Sequence, residues 1–328
     1  MHDKILILDF GSQYTQLIAR RLRELSVYSE VLPFGTSIDR LREARPAGII
    51  LSGGPKSVSD DGAPRCDPAV FDLGVPVLGV CYGMQLMTAV LGGQVSRSDR
   101  REFGHADVDV ASAAPMPRLF EGVPDRLRVW ASHGDCVSAV PPGFSIAATS
   151  TSVPVAAMEH TTRRLFGLLF HPEVVHTAHG GQLLRNFAYG VCGCTGDWTI
   201  RSFVDEATDR IRQQVGEGRV VCGLSGGVDS TVAAVLLHRA IGDQLTCIFV
   251  DNGLLRHEEA NQINKRFREK LQLPLDFVDA SDLFLDRLAG IIDPEQKRKI
   301  IGATFIDVFE RRANEIGTFE FLGQGTLY

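Results

Sequence analysis

Short apolar runs alternate with amphipathic stretches through the first ninety residues. K-I-L-I-L-D predicts a buried strand over Lys4–Asp9, followed by a helix over Tyr14–Leu25 and a strand over Tyr28–Leu32. Ala47–Leu51 and Val75–Val80 read as further buried strands, the second running into a helix over Tyr82–Leu91. Strands that alternate with helices argue for a parallel, doubly wound sheet. From His105 to Glu173 the pattern becomes strand after strand: His105–Val110, Leu127–Ser132, Phe144–Thr149, Val155–Glu159 and Leu165–Phe170. That is the signature of an antiparallel extension on a parallel core, and a helix over Gly181–Tyr189 closes this half.

Val191–Trp198 (V-C-G-C-T-G-D-W) has no periodicity and reads as a linker. After a helix over Thr199–Gln214, βα alternation resumes. Strands fall at Arg219–Leu224, Leu245–Val250, Leu275–Val278 and Phe319–Leu322, and helices at Ser230–Ile241, Glu258–Leu271 and Pro294–Ile316. The chain therefore divides into residues 1–196, a mixed-sheet α/β domain, and residues 197–328, a doubly wound parallel-sheet domain.

Composition narrows the class. With 34 Lys+Arg against 40 Asp+Glu, the net charge of −6 gives no basic field for nucleic acid or anionic lipid. The opening M-H-D-K-I-L-I-L-D-F enters a strand without a signal-peptide pattern, and the apolar stretch Pro76–Leu91 is interrupted by Gly79, Gly83, Gln85 and Thr88. Seven cysteines, several inside apolar strands, read as reduced thiols. The expectation is a soluble cytoplasmic protein with no nucleic-acid or membrane partner.

Two strand-to-helix junctions carry candidate chemistry. In G-V-C-Y-G-M-Q, Cys81 sits on a tight turn at the positive end of a helix dipole, which favours a thiolate. Gly79 and Gly83 flank it because the turn leaves little room for side chains. A buried cysteine in a plain βα unit would look the same, so a base is needed elsewhere. H-P-E supplies one: in an extended segment His171 and Glu173 project to one side, and the carboxylate can orient and charge-stabilise the imidazole. L-S-G-G-P, after the strand Ala47–Leu51, offers backbone N–H groups, with Gly54 and Tyr82 the natural oxyanion pair. Gly-Gly-Pro is equally a simple turn.

The second junction, L-S-G-G-V-D-S-T, places Ser225, Gly226, Gly227, Val228, Asp229, Ser230 and Thr231 between a strand and a helix. Gly226 and Gly227 let backbone amides converge on an anion, the Ser225 and Ser230 hydroxyls can donate, and Asp229 can hold Mg²⁺ on a pyrophosphate. It is not G-x-x-x-x-G-K-[ST], which disfavours a phosphate-loop kinase or GTPase. Cys192, Cys194 and Cys222 lack a fourth ligand at metal spacing. His176 and His179 read as surface residues in a polar loop.

These motifs resemble known families. G-V-C-Y-G-M-Q, L-S-G-G-P and H-P-E are similar to the triad-type (class I) glutamine amidotransferases over Lys4 to about Gly196. The resemblance implies Cys81 as nucleophile, His171 as general base and acid, and Glu173 as orienting carboxylate. The Ser225–Thr231 loop resembles that of the N-type ATP pyrophosphatases, which adenylylate a substrate oxygen. Arg101–Ala106 (R-E-F-G-H-A), Val129–Asp135 (V-W-A-S-H-G-D), Ile248–Arg256, Asp293–Gly302 and Leu322–Tyr328 resemble the GMP synthetase family. By that resemblance the first two lie near the glutamine pocket or an interdomain face, and Val250 sits by the adenine. Lys297, Arg298 and Lys299 would belong to a phosphate lid, although a solvated helix face accounts for them equally well.

The implied reaction is GMP synthesis from XMP, ATP and glutamine, with Mg²⁺ as cofactor. Family members continue past the position of Tyr328 into the rest of the ATP domain and a dimerisation domain. The expectation is accordingly a C-terminally truncated chain whose full-length form is a homodimer. The alternatives are another two-module ATP-dependent amidotransferase, or a fragment that retains only glutaminase activity or nucleotide binding.

Overall fold

A computed structural model describes residues 2–112, 118–256 and 258–325, with the side chains of 98–101 outside the description. The chain forms two compact units, Met1–Thr199 and Ile200–Tyr328.

The first unit is built on β1 (Lys4–Asp9), α1 (Thr15–Glu24), β2 (Tyr28–Pro33), α2 (Ile38–Glu43), β3 (Gly48–Leu51), β4 (Val77–Val80) and α3 (Tyr82–Val90). There follow β5 (Gln94–Val110), β6 (Arg126–Ala139), β7 (Ser145–Ser150), β8 (Ala157–His160), β9 (Leu165–Leu168) and α4 (Gly180–Arg185). The strands make one nine-stranded sheet in the order β2-β1-β3-β4-β9-β8-β7-β5-β6. The β2-to-β9 portion is parallel and the β9-to-β6 portion antiparallel, which is the mixed sheet expected from the change in pattern. Ile5, Leu6, Ile7 and Leu8 are all fully buried, as central parallel strands covered on both faces require. Helix α3 is apolar nearly all round and buries Tyr82 through Thr88, so it lies inside the fold.

The second unit comprises α5 (Ile200–Val215), β10 (Val220–Leu224), α6 (Val228–Ile241), β11 (Leu245–Asp251), α7 (Glu259–Lys265), β12 (Leu275–Asp279), α8 (Ser281–Leu288), α9 (Pro294–Ile316) and β13 (Phe321–Gly323). Its four strands are all parallel, in the order β12-β11-β10-β13. Alternation along the strands feeds two cores. Val220, Cys222, Leu224, Cys247 and Phe249 join Ile263 and Phe267 on one face. Val221, Ile248 and Val250 join Phe284 and Val308 on the other. Two cores on opposite faces of one parallel sheet make the unit doubly wound.

Several elements differ from the periodicity. β5 begins at Gln94, well before His105, and β6 continues to Ala139; the extension of β6 is hidden because its buried positions turn polar at His133 and Asp135. α2 and α8 escape because each spans two turns or so, too short for an 11-residue window. α4 and α7 each pass into a π-turn, Asn186–Val191 and Arg266–Lys270. α9 follows its signals: Asp293 caps the Gln296 amide at 2.8 Å, Pro294 takes the first turn, and Gly317 ends it.

Candidate active site

Four parallel strands, β1, β3, β4 and β9, deliver their C-terminal ends to one place, where open α/β sheets bind ligands. β4 delivers Cys81 as the residue before α3, with φ of 50° and 4% exposure. A non-glycine residue held there is strained, and the surroundings must enforce it. They do so through close backbone packing. A Cβ on Gly79 would stand 2.6 Å from the Gly83 carbonyl, and one on Gly83 would stand 2.4 Å from the Leu51 carbonyl oxygen. The Cys81 amide donates to Leu168 O at 2.7 Å and the Gly83 amide to Ser52 O at 3.1 Å, which tie the turn to β9 and β3.

β9 runs on into the segment that carries His171 and Glu173. His171 Nδ1 lies 2.7 Å from Glu173 Oε1, with the two residues 3% and 0% exposed. The backbone here is pinned from three sides. The His171 amide donates to Trp130 O at 3.0 Å, Thr177 Oγ1 donates to His171 O at 2.5 Å, and Arg21 Nε of α1 donates to Glu173 O at 3.1 Å. The Tyr14 ring stands edge-on to the imidazole, 5.0 Å between centroids. Burial opposes a charge on His171, but the neighbouring Cys81 side chain and the hydrogen-bonded Glu173 carboxylate outweigh that, and its pKa rises to about 10. The arrangement favours the charged imidazolium form of His171.

A cavity of about 290 Å³ opens over the thiol, lined by Gly54, Cys81 and Gln85 together with Phe103 and Ser132–Asp135. Gly54 must be glycine, since a Cβ would meet Phe10 O at 2.9 Å. Tyr82 opens α3, fully buried, with its hydroxyl donating to Pro64 O at 2.6 Å. Cys81, His171, Glu173, Gly54 and Tyr82 thus come together, and both sequence segments ending at Ala106 and Asp135 reach the cavity wall. The Arg101 side chain lies outside the described residues. His176 is exposed, its ring 4.7 Å from that of Trp130.

Tyr14 is absent from the site residues expected from the sequence, whereas Glu102 and Ser132 fall within the two segments expected near the glutamine pocket or an interdomain face. Tyr14 follows the C-terminal end of β1 in G-S-Q-Y-T, and a loop at that end of a parallel strand was the available signal.

In the second unit the Ser225–Gly227 loop joins β10 to α6. Gly226 takes the left-handed φ of 79°, and Gly227 caps the helix. The loop is braced by its own hydroxyls: Ser225 Oγ and Ser230 Oγ are 3.0 Å apart, the Gly227 amide donates to Ser225 Oγ at 3.3 Å, and Thr231 Oγ1 donates to Gly227 O at 2.7 Å. Val228 and Asp229 are exposed on the first turn. A second cavity, about 480 Å³, is lined by Ser225 and Ser230 on one side and by Phe305, Phe309 and Glu310 of α9 on the other. Val250 is 5% exposed and packs in the core with Phe284 and Val308. Lys297, Arg298 and Lys299 are exposed on α9, with Arg298 Nη1 3.0 Å from Glu295 Oε2. Thr326, Leu327 and Tyr328 lie outside the described residues.

No group of three His, Cys, Asp or Glu among the described residues could hold a metal unaided. Mg²⁺ commonly takes one or two carboxylates and completes its shell with substrate phosphates and water. The exposed Asp229 beside the loop fits that mode of binding.

Comparison with known proteins finds a separate family description in each unit. The family description "Glutamine amidotransferase class-I" matches residues 6–191, and "NAD synthase" matches residues 200–297. A protein named GMP synthase [glutamine-hydrolyzing] from Geobacillus kaustophilus is 56% identical over 326 residues, which cover 99% of this chain and 63% of that protein. Its namesake from Bradyrhizobium diazoefficiens is 54% identical over 330 residues, covering 100% and 59%. This chain therefore spans less than two thirds of the length of these relatives. Among solved structures, a Thermoplasma acidophilum protein described as a putative GMP synthase subunit is 32% identical with a TM-score of 0.53, covering 59% of this chain and 95% of that one.

Proposed function

This chain belongs to the class-I glutamine amidotransferase family, and on that premise we propose that it takes ammonia from glutamine for an ATP-driven amination. The observation that carries the reading is Cys81, held at φ 50° on the turn near an imidazole that Glu173 grips at 2.7 Å.

The Cys81 thiolate attacks the side-chain amide carbon of glutamine. Negative charge collects on the former carbonyl oxygen, where the Gly54 and Tyr82 N–H groups receive it. His171 gives its proton to the departing nitrogen, so ammonia leaves and a thioester remains. The same imidazole, now neutral, takes a proton from water, which attacks the thioester and releases glutamate. Glu173 keeps the ring's orientation and stabilises its charged form in both half-reactions.

In the second unit, Ser225–Thr231 and the start of α6 bind the phosphates of ATP, with Val250 near the base. Asp229 would hold Mg²⁺ against the phosphates, and the ion would supply charge neutralisation for the departing pyrophosphate. In the longer protein the acceptor is XMP: its base oxygen bonds to the α-phosphorus with loss of pyrophosphate, and ammonia then displaces AMP to give GMP. The relatives' printed names support this acceptor. The same reading places the domain boundary between residues 196 and 197, the protein in the cytoplasm and the full-length form in a homodimer. Free thiols at all seven cysteines are consistent with a reducing setting. No helix among the described residues is long and apolar enough to cross a membrane.

Cys81→Ala tests the reading. Glutaminase turnover should fall at least about a thousandfold, the scale of losing a covalent nucleophile. Mg-ATP binding, followed by calorimetry, should stay unchanged. Ammonia release at near-parental rate would show that the thiol is not the nucleophile. In the full-length protein, XMP-dependent pyrophosphate release separates this acceptor from any other.

A further inference from the structure

The wall of the Cys81 cavity opposite α3 is the β6 segment Ser132–Asp135, and three contacts hold it. Cys81 Sγ is 3.5 Å from Ser132 O, and Gln85 Nε2 of α3 donates to Asp135 O at 3.0 Å. Between these two anchors His133 is tied to the neighbouring strand, its Nε2 3.1 Å from Glu102 Oε2 of β5. The pair is sunk in the ribbon, with side chains 2% and 15% exposed. Nδ1 of the same imidazole is buried with no hydrogen-bond partner among the described residues. The ring is therefore oriented through its Nε2.

The position of this pair in the sheet gives it a task. Glu102 and His133 are also backbone partners, and they stand where the β5–β6 register shifts. Arg97 pairs with Asp135 and Glu102 with His133, so five positions along β5 answer two along β6. Such an irregularity interrupts the ladder and bends the bulged strand. The regular ladder from Asp109–Arg126 ends at Glu102–His133, and a cross-strand side-chain contact at that last rung holds the strand ends together where the ladder stops. Immediately beyond it, Phe103 and Ser132 pair and both line the cavity.

We propose that Glu102 and His133 are positioning residues that hold the Ser132–Asp135 wall in the shape that admits glutamine. The proposal rests on the glutaminase reading above. It assigns the pair to substrate binding, since neither residue makes any of the contacts that brace the triad backbone, which come from Trp130 O, Thr177, Arg21 and Leu168 O. Glu102→Ala should loosen the wall while leaving the thiol-imidazole pair in place. The 3.1 Å contact with His133 Nε2 matters more than the charge at Glu102, so Glu102→Gln should rescue most of the effect.

Steady-state glutaminase kinetics on the chain, with Cys81 alkylation by iodoacetamide as a substrate-independent measure of the triad, test this. Glu102→Ala should raise KM for glutamine about tenfold or more, with kcat within about threefold and the alkylation rate unchanged. Glu102→Gln should return KM to within about threefold of the parent. If Glu102→Ala lowers the melting temperature enough to unfold the unit, Glu102→Asp, one methylene shorter, carries the same comparison. Unchanged KM in the alanine variant overturns the proposal. So does a fall in kcat together with the alkylation rate, which would assign the pair to the triad. A parental chain without Cys81-dependent glutaminase would instead overturn the underlying reading, and the Cys81→Ala control distinguishes the two.

Discussion

The two strand-to-helix junctions, β4–α3 and β10–α6, share an architecture and differ in where they carry the unusual backbone. At the first, the left-handed φ falls on Cys81 itself and the neighbouring glycines make room for it. At the second it falls on Gly226, which adopts it without cost, and the reactive-type side chains around it are serines bonded to one another. The first junction is buried and presents one side chain; the second has Val228 and Asp229 exposed and presents backbone amides. A nucleophile needs a single atom held at a fixed place by its surroundings, whereas an anion cradle needs a main chain that closes around the ligand. The same βα turn serves either end, depending on which residue carries the positive φ.

The contrast breaks most visibly at the glycines. Gly83→Ala pushes a Cβ to 2.4 Å from the Leu51 carbonyl oxygen, a backbone atom that cannot step aside. We expect a stability loss of about 3 kcal/mol or more in the first unit and no measurable glutaminase. Gly226→Ala meets only the Cδ1 end of Ile263 at 2.6 Å and must hold a φ of 79°. The expected cost is about 1–2 kcal/mol, seen in urea denaturation, with weaker Mg-ATP binding by calorimetry. Equal losses at the two positions would erase the distinction between an enforced turn and a permissive one.

A second prediction sharpens the first junction alone. Glu173→Gln keeps the volume of the side chain but removes the charge that stabilises His171 in its protonated form. Turnover should fall by roughly ten- to ten-thousandfold, and the plateau of Cys81 alkylation against pH should shift as the His171 pKa drops from about 10. An unaltered turnover number would leave Glu173 as packing.

The smallest effect concerns two buried histidines of the first unit with opposite shifts. His171 is raised to about 10, so its contribution to stability is complete below the unfolded value near 6.5 and disappears as pH climbs through 10. His133 is lowered to about 4, first by burial and then by the nearby His171 charge, against the pull of Asp135. Its unfolded form takes up a proton that the folded form refuses, so stability should fall as pH drops from about 6.5 towards 4. Burial also raises the partner Glu102, which further weakens any ionic rescue of a protonated ring. Denaturation midpoints between pH 6.5 and 4, where the His171 contribution is already complete, should record a loss of about 1–3 kcal/mol in the parent, reduced in His133→Asn. A flat profile would contradict the buried neutral imidazole.

Much of this molecule was present in its order of residues. Strands such as Lys4–Asp9 announce themselves because a sheet covered on both faces needs an unbroken apolar run, and α9 because Asp293, Pro294 and Gly317 punctuate it. G-V-C-Y-G and S-G-G-V-D-S could be read as junctions because glycine spacing is set by local sterics, which depend on near neighbours in the chain. The β5–β6 ribbon was read only in part, as His105–Val110 and Leu127–Ser132, because beyond them the register shifts and the buried positions of β6 become polar, His133 and Asp135. Only the tertiary structure decided which distant segments meet. β9 lies beside β4, so the Leu168 carbonyl receives the Cys81 amide and the chain that follows brings His171 to a thiol ninety residues earlier. α1 reaches across to the Glu173 carbonyl with Arg21, and Glu102 finds His133. Such meetings follow from strand order and register, which the packing of all the strands sets together.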